Sequence, residues 1–589
     1  MCSIIGILGK NGVAPSLVES LKRMEYRGYD SVGVATLSTN KISVRKGIGK
    51  VNQVNSTLNL AGMEGSIGIG HTRWATHGGV TDYNAHPHPC CTNDIAVVHN
   101  GIIENYLPLK QELLQKGHRF QSETDTEVIA HLLEDYYNAS NNDVKAAMLE
   151  TVKRLDGSYA FVAMFASGTL ACARLDEPLV IGVSDNAYYA SSDVLGFLQY
   201  TDQAMFLDNR DIAVINMSGV NIFNFNGETV QRNITKVAWE LADVNKGEFA
   251  HYTIKEIFEQ ITSIKAATYQ DEHKLKAFCD AIAGASNVIV TGSGTSYHTS
   301  LITSVLGSRF LKKRFEPVMA SEFKYNMDSI DKDTVIVAIS QSGETADVLS
   351  AVKLARVAGA KILSIVNVPT SSLARTADVS LSINSGPEIG VAATKSFTGQ
   401  LSLAYAIMDR ISGGKVGFNR DLMSGMIHTV LAGSSSIERL VNISMPKAND
   451  IYLLGRSIHF PIALEGALKM KELAYVHAEG IAAGELKHGP LALMDKNVVV
   501  FVINPDDKTY SDTLSSAHEV KARGAKIIGI SNVPNDVYDA IIEIPKLDNE
   551  LLYPLVEIIP LQLFSYYLAL QRNADPDFPR NLAKSVTVR

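Results

Sequence analysis

Cys2 is the residue of this chain best placed for covalent chemistry. With Met1 removed, it would carry a thiol and a free α-amine on one residue. The amine has an ordinary pKa of roughly 7.7–8.0 against roughly 8.5 for the thiol, so it can take the thiol's proton near neutral pH. A second set lies in the segment ALEGALKMKE at 463–472. On a helix, Glu465, Lys469 and Glu472 stand at i, i+4 and i+7 and share one face. Their neighbours are small or apolar, as in a buried helix, where ionisable groups are costly unless they do work. The loop GELKHGP at 484–490 adds His488, a natural proton shuttle. Lys584 lies in a tail, LAKSVTV, whose small and apolar character predicts docking. A lysine amine in a desolvated pocket can form a Schiff base with a sugar carbonyl.

Two further segments suit a phosphate. Ser293-Gly294-Thr295-Ser296 and Ser340-Gln341-Ser342-Gly343-Glu344-Thr345 each follow a strand-like run and lead into a helical pattern. Hydroxyls, loop N–H groups and a helix N-terminus then converge on one point.

These loops belong to a repeat. RVAGAKILSIVNVP at 356–369 recurs as KARGAKIIGISNVP at 521–534, TVIVAIS at 334–340 as VVVFVIN at 498–504, and the segments around Gly292 and Gly455 correspond. Three landmarks in one order, 163 to 165 residues apart, predict a duplicated α/β domain of alternating strands and helices. The second copy has Arg456 and Asn504-Pro505-Asp506-Asp507 where the first has its hydroxyl loops. Pro505 removes a donor and the aspartates repel an anion, so the first copy is expected to hold a phosphate and the second to form a wall or a catalytic edge.

The first 240 residues read differently. Short β-type runs at 66–70, 95–99, 158–165 and 179–183 are interrupted by helical patterns at 107–116 and 127–137, an α+β half. With 589 residues the chain needs several cores. Its 46% hydrophobic and 20% charged residues are those of a globular protein, and a net charge of −8 argues against nucleic acid as main partner. The five cysteines are sparse and form no CxxC, so neither a disulfide framework nor a metal site is expected. No signal-peptide pattern opens the chain, and the apolar run 551–570, with Glu557, Pro554 and Pro560, is expected to be a buried helix.

Taken in order, these segments resemble the glutamine–fructose-6-phosphate aminotransferase (isomerising) family over essentially the whole chain. The N-terminal matches are Cys2, HTRWATHG at 71–78, NAHPH at 84–88, HNGIIEN at 99–105 and SETDTE at 122–127. The C-terminal matches are SGTS, SQSGET, EIGV at 388–391, ALEGALKMKE, GELKHGP and LAKSVTV. The resemblance implies an α+β N-terminal nucleophile (Ntn) glutaminase domain, an αββα sandwich, followed by two α/β SIS (sugar isomerase) domains with parallel, flavodoxin-like sheets. The expected boundaries are 2–237 for the glutaminase, 238–250 for a linker, 251–427 and 428–579 for the SIS domains, and 580–589 for a tail completing the sugar site.

The resemblance also implies roles. Cys2 would attack the glutamine amide, Asn100 and the Gly101 N–H would form the oxyanion hole, and Arg73 and Asp125 would clamp the glutamine zwitterion. Trp74, Thr76 and His77 would line that pocket, with Trp74 gating an ammonia passage. Thr295, Ser296, Ser340, Gln341, Ser342 and Thr345 would cradle the sugar phosphate, with backbone contacts from Val391 and Ala583. Lys584 would form the Schiff base, Glu472 would move a proton between C1 and C2, and His488, supplied by the partner subunit, would assist ring opening. Glu465 and Lys469 would support them. The implied reaction turns L-glutamine and D-fructose 6-phosphate into glucosamine 6-phosphate, the first step towards UDP-N-acetylglucosamine. The implied enzyme is a cytoplasmic homodimer joined through its SIS domains, with no cofactor, metal, nucleic acid or membrane.

Three positions depart from the family's habit: Ser3 where Gly is usual, Ile261 where Pro is usual, and Arg589 at the last position in place of an acid. Two other readings keep the same architecture: an amidotransferase acting on a different sugar phosphate, and a sugar-phosphate-binding regulator with relic catalytic residues.

Overall fold

The computed structural model describes residues 2–237, 245–444 and 450–587. Met1, residues 238–244 of the expected linker, and Arg589 lie outside them. The chain divides into two compact units, Met1–Asp243 with Ser585–Arg589, and Val244–Lys584.

The first unit is built on two antiparallel sheets. Eight strands form one, with Ser3–Gly9 paired between Ile67–Arg73 and Ala187–Ser191; six form the other, with Ile95–Ile103 paired to Gly157–Phe165. Alternate residues of the facing strands, among them Ile4, Leu8, Val98, Val162 and Cys172, make one core. Helices Glu127–Ala139 and Val144–Val152 cover the outer face of the six-stranded sheet through Val128, Leu132, Met148 and Val152. Helix Ala14–Arg23 covers the other sheet, with Leu17 and Leu21 against the glycines of Ile67–Arg73. This is the expected αββα sandwich. The expected helices at 107–116 and 127–137 are Tyr106–Gln115 and Glu127–Ala139.

Two five-stranded parallel sheets form the second unit. From edge to edge the first runs Phe315–Met319, Asn287–Gly292, Thr334–Ser340, Lys361–Val366, Val379–Ser382; the second runs His477–Ala482, Asp450–Gly455, Val499–Ile503, Lys526–Ser531, Ala540–Glu543. Both have the flavodoxin-like order 2-1-3-4-5, so the sequence repeat is a structural one. Each sheet is apolar on both faces, as helix-covered parallel sheets are. Val288, Val290, Ile451 and Leu453 join one core common to both copies, while Ile289 and Tyr452 point into separate cores on the opposite faces.

The apolar run near the C-terminus is helix Pro554–Gln571. It is long and apolar enough to cross a membrane, but 94% of its most apolar window is buried inside this unit. It is the core helix that its Glu and two Pro residues predict.

Candidate active sites

Cys2 sits at the mouth of a central strand. Ser3 pairs with Thr72, which puts Cys2 beside the end of strand Ile67–Arg73 and the turn after it. The half-buried thiol accepts the Trp74 N–H at 3.3 Å and lies 3.4 Å from the Trp74 carbonyl. Burial pushes the thiol up, opposed by the Trp74 N–H and the Arg73 guanidinium. Ser3 is fully buried and its hydroxyl donates to the Met24 carbonyl at 2.8 Å, so the departure from glycine has its hydrogen bond satisfied.

Asn100 reaches Cys2 from the second sheet, its amide NH2 donating to the Cys2 carbonyl at 3.1 Å. His71 Nε2 lies 3.1 Å from Asn100 Oδ1 and 3.0 Å from the His99 carbonyl. Two acceptors require an N–H on that nitrogen, which fixes the amide with its NH2 towards Cys2. One amide proton serves the Cys2 carbonyl and the second remains for a ligand. Burial lowers His71 to about 3, so it works as a neutral donor. Gly101 follows at φ +116°, and a Cβ there would lie 2.0 Å from the Ser158 carbonyl oxygen, so only glycine fits beside Asn100.

Arg73 is buried and donates to the carbonyls of His77, Gly78 and Gly79, pinning the loop that holds Thr76 and His77. A ligand carboxylate there would share or displace those bonds. Asp125, also buried, accepts the Ile103 N–H at 2.8 Å. Trp74 and His77 are half-buried and Thr76 is exposed. The structure thus gathers Cys2, Arg73, Trp74, Asn100 and Asp125 around strand ends of both sheets.

Behind them stand residues to which the sequence assigned no role. His71 stacks on His86 at 4.1 Å, and His86 and His99 meet Thr126 at 3.3 and 2.9 Å. Burial lowers all three imidazoles. They lie in the matched motifs, which was the available signal. Glu177 carried no such signal. It is fully buried, burial raises it to about 7, and it accepts the Thr587 hydroxyl at 2.6 Å.

In the second unit, helix Phe460–Ala474 presents Glu465, Lys469 and Glu472 on one face, as the spacing predicts. Lys469 Nζ lies 3.3 Å from Glu465 and 2.6 Å from Glu472, and donates to Thr295 Oγ1 at 3.2 Å. Glu465 takes the Thr295 hydroxyl at 3.0 Å and His298 Nδ1 at 2.6 Å. Glu465 and Lys469 are fully buried, so the ladder ties the helix of the second copy to helix Thr295–Leu311 of the first. Burial opposes the lysine charge, but the two carboxylates outweigh it and hold Lys469 above its ordinary range. Glu472 is the member left partly exposed, at 21%.

The hydroxyl loops stand at the C-terminal ends of the first copy's strands. Ser340 Oγ accepts the Gly343 N–H at 3.0 Å and lies 3.1 Å from Thr345 Oγ1, while Ser342 Oγ accepts the Glu344 N–H at 3.1 Å. Gly343 has φ +67°, and a Cβ there would lie 2.0 Å from Ser371 Oγ. Thr345 precedes helix Ala346–Val357 and gives it no side-chain cap. Ser296 Oγ accepts the Gln400 amide at 3.1 Å, and Gln341 is half-buried.

Lys584 is held by Glu388 and donates to the Gly390 carbonyl at 2.7 Å. Burial pushes Glu388 up, but Lys584 and the N–H groups of Ser396 and Thr394 hold it at about 2. Glu256 accepts the Ile389 and Gly390 N–H groups, and burial with Glu388 nearby raises it to about 8. One carboxylate is thus held ionised and the other raised towards protonation beside Lys584, with Lys395 also acting on Glu256. Neither had been assigned a role; Glu388 opens a matched motif, but Glu256 lies in a helix with no motif. The Val391 N–H donates to the Asp577 carbonyl at 3.2 Å, so a sugar contact there would come through its C=O. Ala583 is half-buried next to Lys584. His488 stands exposed at the end of the single turn Ala483–His488, away from the ladder that joins Glu465, Lys469 and Glu472.

Residues 71–199 match the sequence profile described as "Glutamine amidotransferase domain", and residues 281–409 and 444–572 match that of the "SIS domain". A glutamine–fructose-6-phosphate aminotransferase [isomerizing] of Thermococcus kodakarensis is 43% identical over 604 residues, and one of Pyrococcus horikoshii is 44% identical over 600, each spanning 100% of both chains. The chain belongs to the glutamine–fructose-6-phosphate aminotransferase (isomerising) family. The "C-terminal domain of glucosamine-fructose-6-phosphate aminotransferase from Francisella tularensis" superposes with a TM-score of 0.53 at 31% identity, covering 56% of this chain and 99% of that one. In family terms, the first unit carries the glutaminase and the second the paired SIS domains.

Proposed function

We propose that this aminotransferase makes glucosamine 6-phosphate and glutamate from L-glutamine and D-fructose 6-phosphate. The observation that carries the reading is full-length identity of 43–44% to aminotransferases of that name; the grouping of Cys2, Arg73, Asn100 and Asp125 in one unit and the Glu465–Lys469–Glu472 ladder in the other support it. Cys2, freed of Met1, attacks the glutamine side-chain amide, its α-amine taking the thiol proton and passing it to the departing ammonia, and water then cleaves the thioester to release glutamate. Asn100 Nδ2 and the Gly101 N–H stabilise the oxyanion, a contribution of about 3 kcal/mol per donor in comparable sites. Arg73 and Asp125 hold the α-carboxylate and α-amine of glutamine, and Trp74, Thr76 and His77 close round it.

Ammonia released there is consumed in the second unit. The phosphate of the sugar rests on Thr295, Ser296, Ser340, Gln341, Ser342 and Thr345, with Val391 and Ala583 contributing backbone groups. Lys584 gives its proton to Glu388, adds as a neutral amine to C2 of the open ketose and expels water to give the imine. Ammonia replaces the lysine at C2, and Glu472 takes a proton from C1 and returns it at C2. Lys469 and Glu465 position Glu472, and His488 of a second copy serves ring opening, which makes a homodimer through the SIS domains the working form.

The test combines a variant with an acceptor panel. Cys2→Ala should abolish glutamine hydrolysis and glutamine-driven synthesis while leaving ammonia-driven synthesis. Unchanged hydrolysis overturns the nucleophile. Wild-type protein given glutamine and several sugar phosphates should form amino sugar from fructose 6-phosphate, read by mass spectrometry. Product from another phosphate alone overturns the acceptor.

A further inference from the structure

Four ligand-type side chains meet on the glutaminase unit, away from Cys2. Cys91 follows strand His88–Pro89, His118 follows helix Tyr106–Gln115, and His131 and Glu134 stand one turn apart on helix Glu127–Ala139. Cys91 Sγ lies 3.6 Å from His118 Nδ1 and 3.7 Å from His131 Nδ1. Glu134 Oε2 lies 3.2 Å from His118 Nδ1 and 3.6 Å from His131 Nδ1. All four ligand atoms fall within 4.8 Å of one another. A tetrahedral ion with metal–nitrogen distances of about 2.0–2.1 Å and metal–sulfur of about 2.3 Å places neighbouring ligand atoms roughly 3.3–3.6 Å apart.

The surroundings also fit. His118 presents Nε2 to Asp135 Oδ1 at 2.8 Å, and His131 presents Nε2 to Glu127 Oε1 at 3.5 Å. Both rings therefore turn Nδ1 inward; Asp135 accepts from His118 Nε2 as the outer partner of a metal-bound imidazole does, and Glu127 stands as a more distant counter-charge to His131. The Arg119 N–H donates to Cys91 Sγ at 3.3 Å, which suits a thiolate. Cys91 is exposed while His131 and Glu134 are buried, so an ion has a path from solvent into the cluster.

We propose that Cys91, His118, His131 and Glu134 bind one divalent zinc-like ion in a closed, structural site of the glutaminase unit. Thiolate and imidazole donors favour zinc over magnesium or calcium, and four protein ligands leave no open position for catalysis. The ion would join the loop before Ile95–Ile103, the segment after Tyr106–Gln115 and helix Glu127–Ala139. That helix begins two residues after Asp125, so the ion would stiffen one wall of the glutamine site. No CxxC or HxxxH spacing announces the cluster, because three of its four ligands come from separate segments.

Cobalt is the probe. The full-length Cys2→Ala protein, which lacks the nucleophilic thiol, is stripped with chelator and titrated with Co2+. One equivalent per chain should give the intense visible bands of a tetrahedral site and a thiolate-to-cobalt charge-transfer band, both bleached by Zn2+. Adding Cys91→Ser should remove the charge-transfer band and weaken binding at least ~100-fold, beyond the usual effect of losing an outer-shell partner. Zn2+ should raise the melting temperature of the Cys2→Ala protein and leave the doubly substituted one unmoved. If Cys91→Ser impairs folding, His118→Gln is read instead with the same loss of affinity. A spectrum unaltered by either substitution, weak octahedral binding, or no binding near one equivalent overturns the site.

Discussion

The two SIS copies share strand order and repeat spacing, yet their strand ends are filled in opposite ways. In the first copy Ser296 stands in the first turn of helix Thr295–Leu311 and Gly343 turns the loop after Thr334–Ser340, so the strand ends carry small hydroxyl residues. The residues 163 and 164 positions later are His459 and Asp507. His459 Nε2 pairs with Asp507 at 2.9 Å and Nδ1 with Glu557 at 2.8 Å, all three buried. Burial opposes the imidazolium, but Glu557 and Asp507 outweigh it and hold His459 at about 10. The second copy thus sets a cation and two carboxylates where the first has small hydroxyl residues and glycine. Asp507, one of the two aspartates expected to repel an anion, is spent on a buried ion pair. Duplication supplies the scaffold, and a few side chains at the strand ends set the two copies apart.

Four changes break or sharpen that contrast. Gly343→Asp gives the first copy the residue of the second. It places a side chain where Ser371 Oγ stands and a carboxylate where an anion would sit. Like charges in contact cost several kcal/mol, so KM for the sugar phosphate should rise at least ~100-fold with glutamine hydrolysis retained, measured by steady-state kinetics.

His459→Ala opens the second copy and leaves Asp507 and Glu557 uncompensated, a loss of about 3–5 kcal/mol measurable by chemical denaturation. The pH dependence carries a sign. With its folded pKa raised to about 10, His459 contributes fully below its unfolded value of about 6.5. That contribution is lost as pH rises through 10, so His459→Ala should flatten the alkaline loss of stability.

Thr295→Val removes the hydroxyl shared by Glu465 and Lys469 across the copies. About 1–3 kcal/mol of stability should go, with kcat falling more than KM rises if the ladder positions Glu472. Glu256→Gln should be mildest. Glu256, raised to about 8, is already protonated at pH 7, so the amide should change kcat less than about threefold there. Above pH 8, wild type gains a second carboxylate beside Lys584 and the variant does not, so their pH–rate profiles should part on the alkaline side.

Much of this was legible in order and spacing. The repeat showed in three landmarks because parallel strands buried on both faces keep apolar runs of similar length. The face shared by Glu465, Lys469 and Glu472 follows from helical periodicity, and the core helix at 554–571 from the charged and proline residues that interrupt its apolar run. Glu256 was not legible, since it acts on residues more than a hundred positions away through two backbone N–H groups. Nor were His118 and Cys91, which are unremarkable until the sheet and helix bring them together.

The sequence by itself determined the covalent candidates Cys2 and Lys584, the duplicated α/β half and the α+β half before it, because residue type, period and offset are local properties; the sandwich came from the family resemblance. Tertiary structure alone decided the charge states and the company each group keeps. Burial neutralises His71 and Glu256, and the Lys584 ammonium with two backbone N–H groups keeps Glu388 ionised. Those outcomes depend on desolvation and on charges a few ångströms away, which neighbouring positions in a chain do not specify.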